Sequence, residues 1–397
     1  MGTSEDTFQR ALTDADVAAA NGLTRRWLAA RREIPSAASG LGIWPLIAIL
    51  ATGAVGETRD ELLAAAGIGA DRAAAVPSAL LAAVREAPAL GAAIAVWAGR
   101  RVTLDPEWTA GLPAGAVGSL TGDPAADKAA LDDWAARSTR GLIDRMPLDF
   151  TQPVDLVLAG ALSVATTWAV PFTDHRRSFK TGPWAGLGQV RGLSATLGDV
   201  LRVGPDASVV TLAGDGGIDV LLGLGREDLA PHAVIEALFD AADPGWGRSA
   251  TDLRPGERAV GVEVAEYQSM RPQTGPETAV DTVRFRVTAD LDLADDAAAL
   301  GLVSASDRDR ARFDRLAAEP VFVSQAKQTC TAVFSATGFE AAAITAMAMA
   351  RAAGVPKLKH RHVQARITFD RPFAYLARHR PTGLVLVAGW VREPETA

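Results

Sequence analysis

Ser324-Gln-Ala-Lys327 sets a hydroxyl and an amine three residues apart, so that on a helix the lysine could take the hydroxyl proton for acyl transfer, and Lys180-Thr-Gly182 has the form of a second signature of such sites. The order opposes that chemistry: Lys180 precedes Ser324, no Ser-Asp-Asn occurs, and residues 321–334 read as a strand. His360 and His362, inside Lys357-Leu-Lys-His-Arg-His362, could form a metal pair on one side of a strand or dock an anion. The surrounding cations repel a metal, and a solvated basic loop is the expected reading. Cys330 lies among apolar neighbours and reads as a buried small hydrophobe, not a nucleophile. Gly214-Asp-Gly-Gly217 predicts a tight turn, while no Walker loop, dinucleotide fingerprint or Gly-x-Ser-x-Gly occurs. The residues name no catalytic group and no cofactor, and any metal site would have to be built from carboxylates.

Composition narrows the classes further. The 397 residues are 48% hydrophobic and 22% charged, enough to bury a large core, and no Pro, Gly or Ser linker or fixed-period repeat divides them; one domain over 1–397 is expected. A formal charge of -7 argues against nucleic acid or an anionic membrane as a partner. One cysteine and five histidines exclude an internal disulfide framework and a Cys/His zinc module. The start MGTSEDTFQR resembles neither a secretory signal nor a myristoylation site, so the chain as written is expected in the cytoplasm. The apolar run from Leu41 to Val55, with Pro45 inside it, is short of the roughly 20 residues of a spanning helix and reads as a buried one.

Those residues need elements to place them. Apolar spacing predicts helices over 12–33 and 41–52, a third opening on the capping box Thr58-Arg-Asp-Glu61 and stopping near Gly67, and a fourth from Asp123-Pro124 to Gly141. Strands are predicted over 93–98, 154–159, 209–213, 218–222, 258–264, 283–288, 321–334, 363–369 and 384–391. Helices first and strands later make an α+β pattern, not alternating βαβ.

The segment Gly338 to Gly354, GFEAAAITAMAMARAAG, favours a helix by propensity. With period two it instead places Phe339, Ala341, Ala343, Thr345, Met347 and Met349 on one small or apolar side, and Glu340, Ala342, Ile344 and Ala346 on the other. A segment able to live both as an exposed loop and as a strand buried on one face is what a conformational switch requires.

From about residue 15 to Pro394 the chain resembles the serpins, the family of serine protease inhibitors, in a prokaryotic-type version. The resemblance is carried by Gly53-Ala-Val-Gly-Glu-Thr58, Trp134-Ala-Ala-Arg-Ser-Thr-Arg-Gly-Leu-Ile143, Trp168-Ala-Val-Pro-Phe172, Gly338 with Glu340-Ala-Ala-Ala343, Asp370-Arg-Pro-Phe373 and Gly389-Trp-Val391. It implies three β-sheets, eight or nine helices and an exposed reactive loop at about 338–362 that a protease cleaves and that then inserts into the central sheet. The implied partner is a target protease and the implied state a monomer; family members are often extracellular. A non-inhibitory binding protein on the same fold, or a scaffold recruited to another activity, is the alternative. Family spacing puts the bait bond at Ala352-Ala353, for an elastase- or subtilisin-like target, with Arg351-Ala352 and a trypsin-like target next, and Lys357 or Lys359 downstream as further positions.

The resemblance also assigns positions where this chain departs from the family. Ser39, Gly42, Gly160 and Gln328 stand where a polar network usually closes the middle of the sheet, the shutter. At the top of the sheet, the breach, Trp168 is retained, but Ala336 faces Arg284 where a glutamate usually pairs with a lysine. Phe339 stands where the first inward hinge residue is usually small, and burying its ring is expected to oppose insertion by roughly 1–3 kcal/mol of overpacking.

Overall fold

The structure, a computed structural model, describes residues 6–87, 89–243, 245–339 and 360–397. The chain begins with α1 (Asp6–Ala11), α2 (Asp14–Ala30), α3 (Trp44–Gly53), α4 (Gly56–Ala66) and α5 (Ala70–Glu86). There follow β1 (Leu90–Ala98), α6 (Pro106–Ala110), β2 (Val117–Ser119), α7 (Pro124–Ser138), β3 (Leu156–Val164) and β4 (Thr166–Thr167). The middle holds β5 (Thr173–Arg177), β6 (Val190–Leu197), β7 (Leu201–Val203), β8 (Ala207–Ala213), β9 (Ile218–Gly225), α8 (Pro231–Asp240), β10 (Arg248–Ser249), β11 (Arg258–Ala259) and β12 (Val262–Ser269). Last come β13 (Glu277–Val283), β14 (Phe285–Asp292), α9 (Ala297–Leu300), α10 (Val303–Ser306), β15 (Val323–Phe334), β16 (Gly338–Phe339), β17 (His360–Thr368), β18 (Phe373–His379) and β19 (Val385–Val391). This is an α+β fold with three sheets.

The first sheet runs β2-β1-β3-β15-β16-β4, with β14 on the other side of β15. Its centre is unusual: β3 and β15 pair in parallel from Leu156↔Val323 to Ser163↔Thr331, while β1 with β3 and β14 with β15 are antiparallel. All of β3 is buried because both faces are covered. Leu156, Leu158 and Leu162 join the main core; Val157, Ala159 and Ala161 pack with Leu131 and Ala135 of α7 in a smaller cluster. Pro124 opens α7, and Asp123 caps it by accepting from the amides of Ala125 and Ala126 at 2.9 and 3.1 Å.

The second sheet, β10-β7-β8-β9-β18-β19, and the third, β11-β12-β17-β13-β6-β5, pack onto the same core. Below the first sheet lies α3, every residue of which but Thr52 is buried. Thr13 and Asp16 form a reciprocal cap at the start of α2, and Asp16 also meets Arg72 of α5 at 2.6 Å.

Several expectations need correction. Thr58 does not cap α4, which starts at Gly56: its hydroxyl accepts from the Arg312 amide at 3.1 Å, and the Glu61 carboxylate accepts from the amides of Val303 and Ser304. The predicted strand 258–264 is a hairpin, broken at Gly261, whose φ of +65° is the left-handed turn conformation. The predicted strand 283–288 is the junction of β13 and β14 at Arg284. Ten α-helical segments occur among the described residues, four of them only four to six residues long, in keeping with the expected fold.

Candidate functional site

The site is the mouth of the seam between β3 and β15. After Phe334 the chain turns, the Ser335 amide donates to the Gly338 carbonyl at 2.9 Å, and Gly338–Phe339 comes back as β16. This short strand is antiparallel to both neighbours, with Phe339 opposite Phe334 on β15 and opposite Thr166 on β4. Only glycine fits at 338, since a Cβ there would lie 2.2 Å from the Thr166 carbonyl oxygen. The Trp168 indole donates to the Ser335 carbonyl at 2.9 Å and its ring lies 4.9 Å from that of Phe334. Phe285, stacked on Phe334 at 5.3 Å, continues this aromatic layer to Tyr375.

Phe339 is fully buried, its ring 6.0 Å from that of Tyr375. The pocket for the ring is therefore already filled with the seam below it closed. This corrects the expectation that the ring has still to be packed under the sheet when the loop inserts: it is packed beforehand. Tyr375 is itself buried, donates to the Ser36 carbonyl at 2.8 Å, and burial raises its pKa well above the ordinary phenol value.

Halfway down the seam the four aligned positions do meet. Gln328 accepts from the Ser39 amide at 3.0 Å and donates to the Ser39 carbonyl at 2.7 Å, while the Ser39 hydroxyl donates to Leu386 of β19 at 2.6 Å and accepts from the Gly42 amide. Gly160 lies opposite Gln328 in the parallel ladder, and a Cβ on it would stand 2.7 Å from the Gly42 carbonyl. One glutamine amide thus closes this point of the seam, satisfied by backbone. Cys330, next along the inward face, donates to Gln328 at 3.2 Å; burial raises its thiol pKa, so it is inert as a nucleophile.

At the top of the sheet Arg284 has found a partner that spacing did not reveal. Its Nε lies 3.0 Å from a carboxylate oxygen of Glu395, as an ion pair without hydrogen-bond alignment. The tail is held by backbone too: the Glu395 amide donates to Arg284, the Arg191 amide to Glu395, and Thr396 bridges to Val190. The Ala336 carbonyl, meanwhile, accepts from the Phe172 amide at 2.8 Å.

The remaining candidates take structural roles. Ser324 and Lys327 lie on strand β15: the Ser324 hydroxyl accepts from the Asp155 amide and Lys327 pairs with Asp292. The Gly214–Gly217 turn braces β4, since the Thr166 hydroxyl donates to the Asp215 carbonyl and the Asp215 amide to Thr167. His362 is not in a solvated loop; it is buried in β17 between Glu277 and the Arg271 carbonyl, because that strand has neighbours on both sides. Glu340, Ala341, Ala342, Ala343, Thr345, Arg351, Ala352 and Ala353 lie outside the described residues, as do Lys357 and Lys359.

Comparison with known proteins bears on the whole chain. Residues 23–181 and 263–394 match the family model described as serpin (serine protease inhibitor). A protein of rice, Oryza sativa subsp. japonica, named putative serpin-Z6C is 26% identical over 392 residues, covering 90% of each chain. Native protease nexin-1 solved with heparin superposes with a TM-score of 0.70 at 20% identity over 96% of this chain and 98% of that one. Human thyroxine-binding globulin solved with its hormone gives 0.72 at 17% identity over 98% and 99%.

Proposed function

The chain belongs to the serpin family, and from that premise we propose that it is a suicide-type inhibitor of a serine or cysteine endopeptidase, acting by cleavage of its loop and insertion of that loop into the first sheet. The observation that carries this reading is β16. Two residues of loop already lie as a strand between β15 and β4, antiparallel to both, at the top of a seam whose own strands are parallel. Extension of β16 downward would exchange one parallel ladder for two antiparallel ones, which are slightly stronger per residue.

Extending the register of β16 supports this reading. Counting on from Phe339, Ala341 falls between Val164 and Ala332, Ala343 between Leu162 and Cys330, Thr345 between Gly160 and Gln328, and Met347 between Leu158 and Ala326. Those flanking residues are all buried, which suits the small and apolar side of the period-two pattern. About thirteen inserted residues at roughly 3.3 Å each make a strand of about 43 Å. The protease serine attacks the carbonyl of the bait residue, an acyl ester forms and the amine of the next residue leaves; insertion then carries the attached enzyme that distance. The unparted form is held by a barrier above the inserted one.

The bait bond we propose is Ala352-Ala353, cut by an enzyme whose pocket accepts small side chains, with Arg351-Ala352 as the second position. Incubation with elastase-, subtilisin- and trypsin-like proteases tests this: a covalent complex that survives denaturing electrophoresis is expected, with a released fragment starting at Ala353. Clean cleavage with no covalent band from any of them would favour a binding role. That second reading is favoured by the groove between α2, α8 and β18, lined by Asn21, Arg25, Phe239 and Arg378, in a fold shared with a hormone-binding globulin.

A further inference from the structure

Strand β17, which receives the chain after the loop, is held from both sides. It pairs antiparallel with β12 over eight positions, from Val262↔Ile367 to Ser269↔His360, and parallel with β13 over five, from Glu277↔Gln364 to Asp281↔Thr368. Before β13 begins, a side chain stands in for it: the Val363 backbone amide donates to Gln273 Oε1 at 3.0 Å, and Gln273 Nε2 donates to the Val363 backbone carbonyl at 2.8 Å. His362 joins every surrounding element. Its Nδ1 lies 2.8 Å from Glu277 on β13 and 3.2 Å from the Tyr267 hydroxyl on β12, its Nε2 lies 2.6 Å from the Arg271 carbonyl, and the Tyr267 hydroxyl donates to Glu277 at 2.6 Å. Arg361 pairs with Glu266, and Arg366 with Asp281 at 2.7 Å.

Chain length shows what this grip opposes. If an intact loop inserted through Ala352, the eight steps from Ala352 to His360 could reach back at most about 27 Å, against the roughly 43 Å that would separate the far end of the inserted strand from β16. The start of β17 is its end remote from the first sheet, since its other end pairs beside Asp281, close to the Arg284 junction. The shortfall of about 16 Å requires about five residues of β17, 360–364, to leave their sheet. Two of those residues, His362 and Val363, are the ones that Gln273, Tyr267, Glu277 and the Arg271 carbonyl hold. Cleavage at the bait bond removes the requirement.

We infer that β12 and the 270–276 connection form a clamp that keeps the uncleaved loop from inserting itself, so that insertion is reserved for the cleaved chain. The inference rests on the loop-insertion reading above. The test holds intact wild type and the Gln273→Ala/His362→Ala variant some degrees below their thermal midpoints and follows conversion, without chain cleavage, to a heat-resistant form that no longer makes a covalent complex. The variant is expected to convert at least about tenfold faster, as loss of several hydrogen bonds implies; equal rates would overturn the clamp. Cleaved wild type and cleaved variant serve as the control. If both gain heat resistance and the intact rates are equal, only the clamp fails; if neither gains it, the insertion reading fails and takes the clamp with it. Should the variant not fold, hydrogen exchange on wild type decides: amides of 361–365 exchanging as slowly as those of β13 support the clamp, and exchange at the rate of a frayed end overturns it.

Discussion

Arg284 and Glu395 meet at 3.0 Å across 111 positions of sequence, so that the C-terminal tail, and not the segment leading into the loop, neutralises the cation at the junction of β13 and β14. The tail thereby ties the start of β14, in the first sheet, to β6, in the third.

Replacement of Glu395 by Gln removes the charge and keeps the backbone contacts. With both side chains part-exposed, the pair contributes about 0.5–1 kcal/mol, and a fall of about 1–3 °C in the thermal midpoint of the uncleaved protein is expected. Deletion of 394–397 should lower it further. No change from either would mean the tail rests on the sheet without holding it.

Phe339 anchors the start of the loop instead of opposing insertion. Phe339→Thr leaves a void beside Tyr375 and should increase proteolysis between Ser335 and Glu340, at a local loss of up to about 3 kcal/mol. The fraction of encounters ending in a covalent complex should not rise. A clear rise, read from the stoichiometry of inhibition, would restore the ring as a brake.

Thr345 is expected to arrive between Gly160 and Gln328, in the middle of the seam. Thr345→Arg would carry a charge into a site where Gln328 is already satisfied by Ser39, so insertion should stall there. The variant should be cut at the same bond as wild type but released as cleaved chain without a covalent band. Retained inhibition would show that the register from β16 does not extend.

His379 supplies a pH dependence. Burial, then the neighbouring Arg380, lower its pKa to about 4, against an ordinary value of about 6.5. A histidine depressed in the fold leaves stability intact above about pH 6.5 and removes it as pH falls toward 4, because the unfolded chain takes up the proton first. The loss reaches about 2 kcal/mol near pH 5. The thermal midpoint should fall between pH 7 and pH 5, and His379→Gln should flatten that fall; an equal slope in the variant would contradict the assignment.

Part of the seam is legible in sequence: Gln328 meets Ser39 with Gly160 opposite it, and Trp168 closes over the turn that leads to Gly338 and Phe339. What escaped depended on distant partners. Thr58 and Glu61 have capping spacing, yet the chain near 303–312 claims both side chains. Gly261 divides a continuous period-two run into a hairpin, and β12 beyond Val264 is too polar to announce a strand, its place being set by pairing with β17. Helix α5 is hidden in the sequence because Pro77 interrupts an otherwise alanine-rich stretch. The choice of Glu395 by Arg284 leaves no trace in local spacing.

The central claim is that this sheet accepts the loop as a new strand once the loop is cut. The most direct measurement is the thermal midpoint before and after a single cleavage between Ala348 and Gly354, with both fragments still associated. A rise of tens of degrees is predicted, because the seam would then be closed by antiparallel ladders on both sides of the new strand. An unchanged midpoint after clean cleavage would contradict it.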